Sequence, residues 1–142
     1  MRRAGLSLAV LALAACAQSG GESVPGDSDD TRPYSEIAED DVVVALGTEP
    51  FWNARIDGET LVWKTPENID GTSSAVDRFA GRGGVSFSGE LGGESLDLAI
   101  TPGECHDGMS DRTYPFTATV RIGARQLNGC AHREGDDLGP PP

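Results

Sequence analysis

CHDGMSDRTYPFTATVRI, from Cys105 to Ile122, carries a cysteine, a polar tight turn and a strand in one run. YPFTATVRI (Tyr114 to Ile122) alternates apolar and polar residues with the period of two that marks a half-buried strand. The turn before it needs each of its residue types. Asp107-Gly108 permits φ > 0 at the glycine, Ser110 and Asp111 can satisfy nearby backbone N–H groups, and Pro115 limits pairing where the strand begins. Structural duty alone would account for most of this turn.

Working outward, the flanking segments repeat the pattern of short apolar runs broken by Gly and Pro. VVVALG (Val42 to Gly47) and PFWNARI (Pro50 to Ile56) read as strands, with DGE (Asp57 to Glu59) turning the chain into TLVWKT (Thr60 to Thr65). PENIDGTSS (Pro66 to Ser74) reads as loop. AVDRFAGRGG leads into VSFSGEL (Val85 to Leu91), and Gly92-Gly93 turns it into SLDLAI (Ser95 to Ile100). GARQ links Ile122 to a last strand, LNGCA. About seven short strands without an amphipathic helix predict an all-β fold, a single small antiparallel meander closed as a barrel or sandwich. The β domain is expected over residues 42–133, with a disordered tail over 134–142.

The first fifteen residues differ in kind. Arg2 and Arg3 precede an apolar run, LSLAVLALAA, too short to span a bilayer, which is the pattern of an export signal over residues 1–15. The run ends in LAAC (Leu13 to Cys16), similar to a bacterial lipobox, so Cys16 is the expected acceptor of lipid and the membrane anchor. Ala17 follows it, and resemblance to Gram-negative sorting rules directs such a lipoprotein to the outer membrane, facing the periplasm. Residues 16–41 are rich in Ser, Gly, Pro and acids and lack apolar periodicity, which predicts a disordered acidic tether. Asp27, Asp29 and Asp30 lack the bidentate Glu that a calcium loop needs.

In all, 142 residues carry a formal charge of −12, and the sole lysine is Lys64. This argues against nucleic acid as a partner, because phosphate backbones are held by clustered Lys and Arg. A solvated acidic surface or attraction to a basic partner protein both suit this charge. Of the three cysteines, lipidation of Cys16 leaves Cys105 and Cys130, and an exported pair of this kind is expected to be oxidised to a disulfide. A reactive thiol or thiolate metal site would need a reducing compartment or more ligands.

GTEPFW (Gly47 to Trp52), CHDGMSDRTYPF (Cys105 to Phe116) and GCA (Gly129 to Ala131), in that order, resemble an uncharacterised family of proteobacterial membrane-associated lipoproteins. Members carry a GNEPFW or GTEPFW opening, a C-x-DGMSD-x-x-YP core and a closing GCA, and the likeness spans Val42 to Ala131. In size and setting the domain is similar to META-type and lysozyme-inhibitor domains of envelope lipoproteins, which are β-rich binding or structural modules. It lacks the S-G-x-x-Y signature associated with membrane-bound inhibitors of C-type lysozyme. The resemblance implies no activity.

A candidate binding face follows from the two longer motifs: Glu49, Phe51, Trp52, Asp107, Met109, Ser110, Asp111 and Tyr114. Phe51 and Trp52 point to opposite faces of one strand, so one is core and the other semi-exposed. An exposed ring near Tyr114 would form a platform for an envelope protein or glycan, and a non-enzymatic binding or structural module is the favoured reading. The alternative is a glycan-directed hydrolase using carboxylates near the central turn, Glu49 with Asp107 or Asp111. Ser110, His106 and Asp111 contain the residue types of a nucleophile system, but they lie on one short turn outside a G-x-S-x-G setting. His106, Asp107, Asp111 and His132 lack a recognised metal spacing, GRGG (Gly81 to Gly84) lacks the rest of a phosphate loop, and no cofactor is expected.

Overall fold

The computed structural model describes residues 31–140; the expected signal segment, the lipidation at Cys16 and the tether up to residue 30 lie outside the described residues. Eight strands form: β1 (Val43–Thr48), β2 (Phe51–Asp57), β3 (Thr60–Thr65), β4 (Asn68–Ala80), β5 (Val85–Leu91), β6 (Glu94–His106), β7 (Thr113–Ile122) and β8 (Arg125–Arg133). Each pairs antiparallel with the next, and β1 pairs with β8 from Val43↔Arg133 to Leu46↔Cys130, so the meander closes as a barrel. Closure satisfies both edges of the sheet, which a sandwich would leave open.

Alternation sends one face of each strand inward, in β4 only over its second half. Ala45 of β1, Ala54 and Ile56 of β2, Leu61 of β3, Leu98 and Ile100 of β6, Phe116 and Val120 of β7 and Ala131 of β8 are almost wholly buried and fill the interior. Trp52 and Trp63 stack within this core, with ring centroids 5.1 Å apart and planes 10° from parallel. Two glycines make room for them. A Cβ on Gly47 would collide with the Trp52 indole, and one on Gly129 would collide with the Leu46 carbonyl and crowd the same ring. GTEPFW and GCA are thus linked by packing: the glycine of each motif borders the tryptophan that ends the first.

Successive hairpins alternate between the two ends of the barrel. One end carries the β1–β2, β3–β4, β5–β6 and β7–β8 turns; the other carries β2–β3, β4–β5 and β6–β7, together with the two chain-terminal segments. The N-terminal approach closes that second end, although it falls within the expected tether. Ile37 is 1% exposed, its carbonyl accepts from Arg78 at 2.7 Å, and the Tyr34 amide donates to Gly81 at 2.7 Å. Arg133 completes the clasp. It donates to the Glu36 carbonyl at 2.9 Å and to Asp136 at 2.9 Å, and lies 5.9 Å from the Phe116 ring centre. The segment after Arg133, read from composition as disordered, makes contacts as far as residue 140: Glu134 N donates to Val42, the Leu138 carbonyl accepts from Thr113, and the Pro140 carbonyl accepts from Arg112.

Two expectations need correction. Most of Pro66 to Ser74, a loop by composition, belongs to the thirteen-residue β4, which pairs with β3 at Leu61↔Ser74, Val62↔Ser73 and Trp63↔Thr72. Pairing overrides a loop-like composition here because the stretch is exposed on both faces and has no apolar alternation to show. Cys105 and His106, expected within a turn, end the long strand β6, past a register shift between Pro102 and Cys105.

Candidate functional site

The bend in β6 creates the site. Beyond the register shift β6 and β7 still pair, at Cys105↔Tyr114 and His106↔Thr113, but β7 no longer pairs with β8, and the hairpin is tied against β8 instead. Two bonds hold it there. The Cys105–Cys130 disulfide, with Cα atoms 5.5 Å apart, joins β6 to β8, strands that are separated by β7. Thr48, at the end of β1, donates through Oγ1 to the Asp107 carbonyl at 3.1 Å. Cys130 is 2% exposed although it points outward, its register partners being half-buried Leu46 and Thr117, because the hairpin covers it.

Asp107 organises the tip. Its Oδ1 accepts from the amides of Met109 at 2.9 Å and Ser110 at 2.8 Å, and its Oδ2 accepts from the Ser110 hydroxyl at 2.7 Å and the Tyr114 phenol at 3.0 Å. The two amides, then the Ser110 hydroxyl, hold the carboxyl well below the usual carboxylate range. Burial, and next the bond to Asp107, push the Tyr114 phenol up. Gly108 has φ 74°, the left-handed conformation expected from Asp107-Gly108.

Between this tip and the β1–β2 turn runs a groove of about 640 Å³, lined by Leu46, Gly47, Thr48, Glu49 and Phe51 on one side and by Cys105 to Met109 with Asn128 to Cys130 on the other. Glu49, Phe51, Asp107 and Met109, candidates from two motifs far apart in sequence, meet here. Phe51 is 51% exposed and Met109 67%. Among the described residues the exposed Glu49 carboxylate makes no hydrogen bond or ion pair.

Trp52 and Tyr114 do not form a platform: both are buried, Trp52 in the core and Tyr114 beneath the hairpin with its ring centre 5.9 Å from that of His132. Ser110 is bound to Asp107, and Asp111 is exposed outside the groove. His106 pairs with Glu104 at 3.2 Å while His132 Nδ1 lies 2.8 Å from the Arg133 carbonyl, so the two histidines have separate partners. Neither the nucleophile set nor the metal set is assembled.

Sequence reasoning missed Thr48, Asn128 and a second hollow of about 410 Å³ lined by Phe51, Trp52, Asn53, Lys64, Thr65, Pro66 and Ile69. Ile69, 75% exposed, was its one available signal, a lone large aliphatic in a polar stretch. Compared with protein-family models, curated proteins and solved structures, the chain matches none.

Proposed function

We propose that this chain is an envelope lipoprotein, anchored through Cys16 in the outer membrane and facing the periplasm, whose β domain is a non-enzymatic binding module. The groove between the β1–β2 turn and the β6–β7 tip is its binding face. What carries this reading is the convergence of Glu49, Phe51 and Met109 on one open concavity, with two large apolar side chains kept in water although the barrel has a filled core. The lipobox-like LAAC and the resemblance of three motifs to membrane-associated lipoproteins support the setting. The hydrolase alternative has less in its favour. Asp107 already has both oxygens engaged and is held ionised by backbone amides, which unsuits it to donate a proton to a leaving group.

The test is affinity capture from an envelope extract with the full chain carrying Cys16→Ser, beside the same chain with Phe51→Asp added. A component retained by the parent and lost from Phe51→Asp, with thermal unfolding of the two unchanged, is the expected result. Equal capture by both would remove the groove as the binding face.

A further inference from the structure

The groove continues beyond Phe51. This ring lines both the groove and the second hollow, so the exposed apolar side chains of Met109, Phe51 and Ile69 form one strip across the β1–β2 and β3–β4 turns. Charge is arranged along it. Among the described residues Glu49 stands without a partner on the groove side, and Lys64 lies in the wall of the hollow on the other.

Resting on the binding reading above, we infer that the occupant of this strip is a short amphipathic segment of a basic partner protein, its apolar side chains on Phe51 and Ile69 and a Lys or Arg over Glu49. Three observations converge on that class. The hollow around Phe51, Pro66 and Ile69 is predominantly aliphatic and aromatic, and it gives an apolar side chain a seat while offering a sugar few hydroxyl partners. An unpaired, solvent-facing carboxylate beside an apolar strip contributes both attraction and register for a cation. The whole chain, at −12, steers a basic protein towards it and repels an acidic one. Phe51, shared by both concavities, is the expected centre of the interaction, since binding energy concentrates on large anchors at the middle of a patch.

The probes are a synthetic heptapeptide of alternating Leu and Lys, its Leu and Glu twin, and chitohexaose. Each is titrated into the full chain carrying Cys16→Ser while amide shifts are followed by NMR. The Leu-Lys peptide should shift Glu49, Phe51, Ile69 and Met109. Phe51→Ala should weaken it about tenfold, and Glu49→Gln about threefold. Glu59→Gln, an acid on the β2–β3 turn at the opposite end of the barrel, should leave affinity unchanged. Equal weakening by Glu59→Gln, no dependence on Phe51, or preference for the Leu-Glu twin would each overturn the inference, as would no binding on the strip by either peptide. Chitohexaose binding on the strip in place of the peptide would overturn it too, yet leave the binding face standing. Envelope capture indifferent to Phe51→Asp would instead remove the underlying reading.

Discussion

The clasped end of the barrel and the groove side treat the same kinds of residue in opposite ways. At the clasp, Ile37 is covered, Arg133 is divided between Asp136, the Glu36 carbonyl and the Phe116 ring, and Arg55 grips Glu134 through Nε and an Nη. On the groove side, Ile69, Phe51 and Met109 stay in water, and Glu49 has no partner among the described residues. The clasped end is largely closed, with Phe79 beside the β4–β5 turn its one large apolar side chain left in water among the described residues. The other resembles half of an interface, and the difference locates function more sharply than composition does.

The disulfide belongs to the groove side, and breaking it has the largest expected effect. Cys130→Ala frees a loop with a sequence separation of 25. By the chain-entropy estimate this removes about 3.5 kcal/mol, or roughly 15 °C of melting temperature for a domain of this size. Beyond that global loss, the hairpin tip should loosen first. Hydrogen exchange at the Met109 and Ser110 amides is expected to accelerate in Cys130→Ala while the Glu134 amide, bonded to Val42 at the clasp, stays protected. Uniform acceleration at both regions would show that the disulfide does not act locally.

A matched pair of isoleucines tests the comparison directly. Ile37→Ala is expected to cost about 3 kcal/mol, because burial is lost and a cavity remains. Ile69→Ala, at a site 75% exposed, should change stability by no more than about 0.5 kcal/mol. Urea midpoints of the two variants check this. Comparable losses would mean that Ile69 is part of a packed corner, and the strip would lose its claim to be open.

Much of the barrel was legible because its rules are local. The alternation in YPFTATVRI, the turn at Asp107-Gly108 and the cysteine arithmetic each depend on a few neighbouring residues or on a count. What escaped depends on partners distant in sequence. Alternation puts Phe51 and Trp52 on opposite faces without saying which is inward; Gly47 and Gly129 decide that by leaving space for the Trp52 ring. Similarly, the first half of β4 is exposed on both faces and is a strand through its pairing with β3. The clasp was hidden because Ile37, in the acidic flank, and Arg133, the last residue of β8, acquire meaning only once the barrel places them together.

The smallest expected effect separates the two regions by pH and salt. Asp107 has a folded pKa depressed by amide and hydroxyl donors, and Glu134 one depressed by Arg55. A group with a lowered folded pKa contributes stability that is fully present above its unfolded value, about 3.9 for Asp and 4.3 for Glu, and is lost as pH falls through the folded value. Both contributions therefore fade in acid. Their physical origin differs: Asp107 is held by neutral donors fixed in the turn, whereas Glu134 depends on an exposed ion pair that dissolved salt screens. Asp107→Asn should narrow its stability gap to the parent as pH drops from about 5 to about 2, with nearly the same gap at neutral pH in low and high salt. Glu134→Gln should show a smaller gap that high salt already erases at neutral pH. Urea midpoints across this grid provide the measurement. An Asp107→Asn gap that is independent of pH, or one that salt abolishes, would mean that the turn is not organised by its carboxylate, and the groove wall would need another explanation.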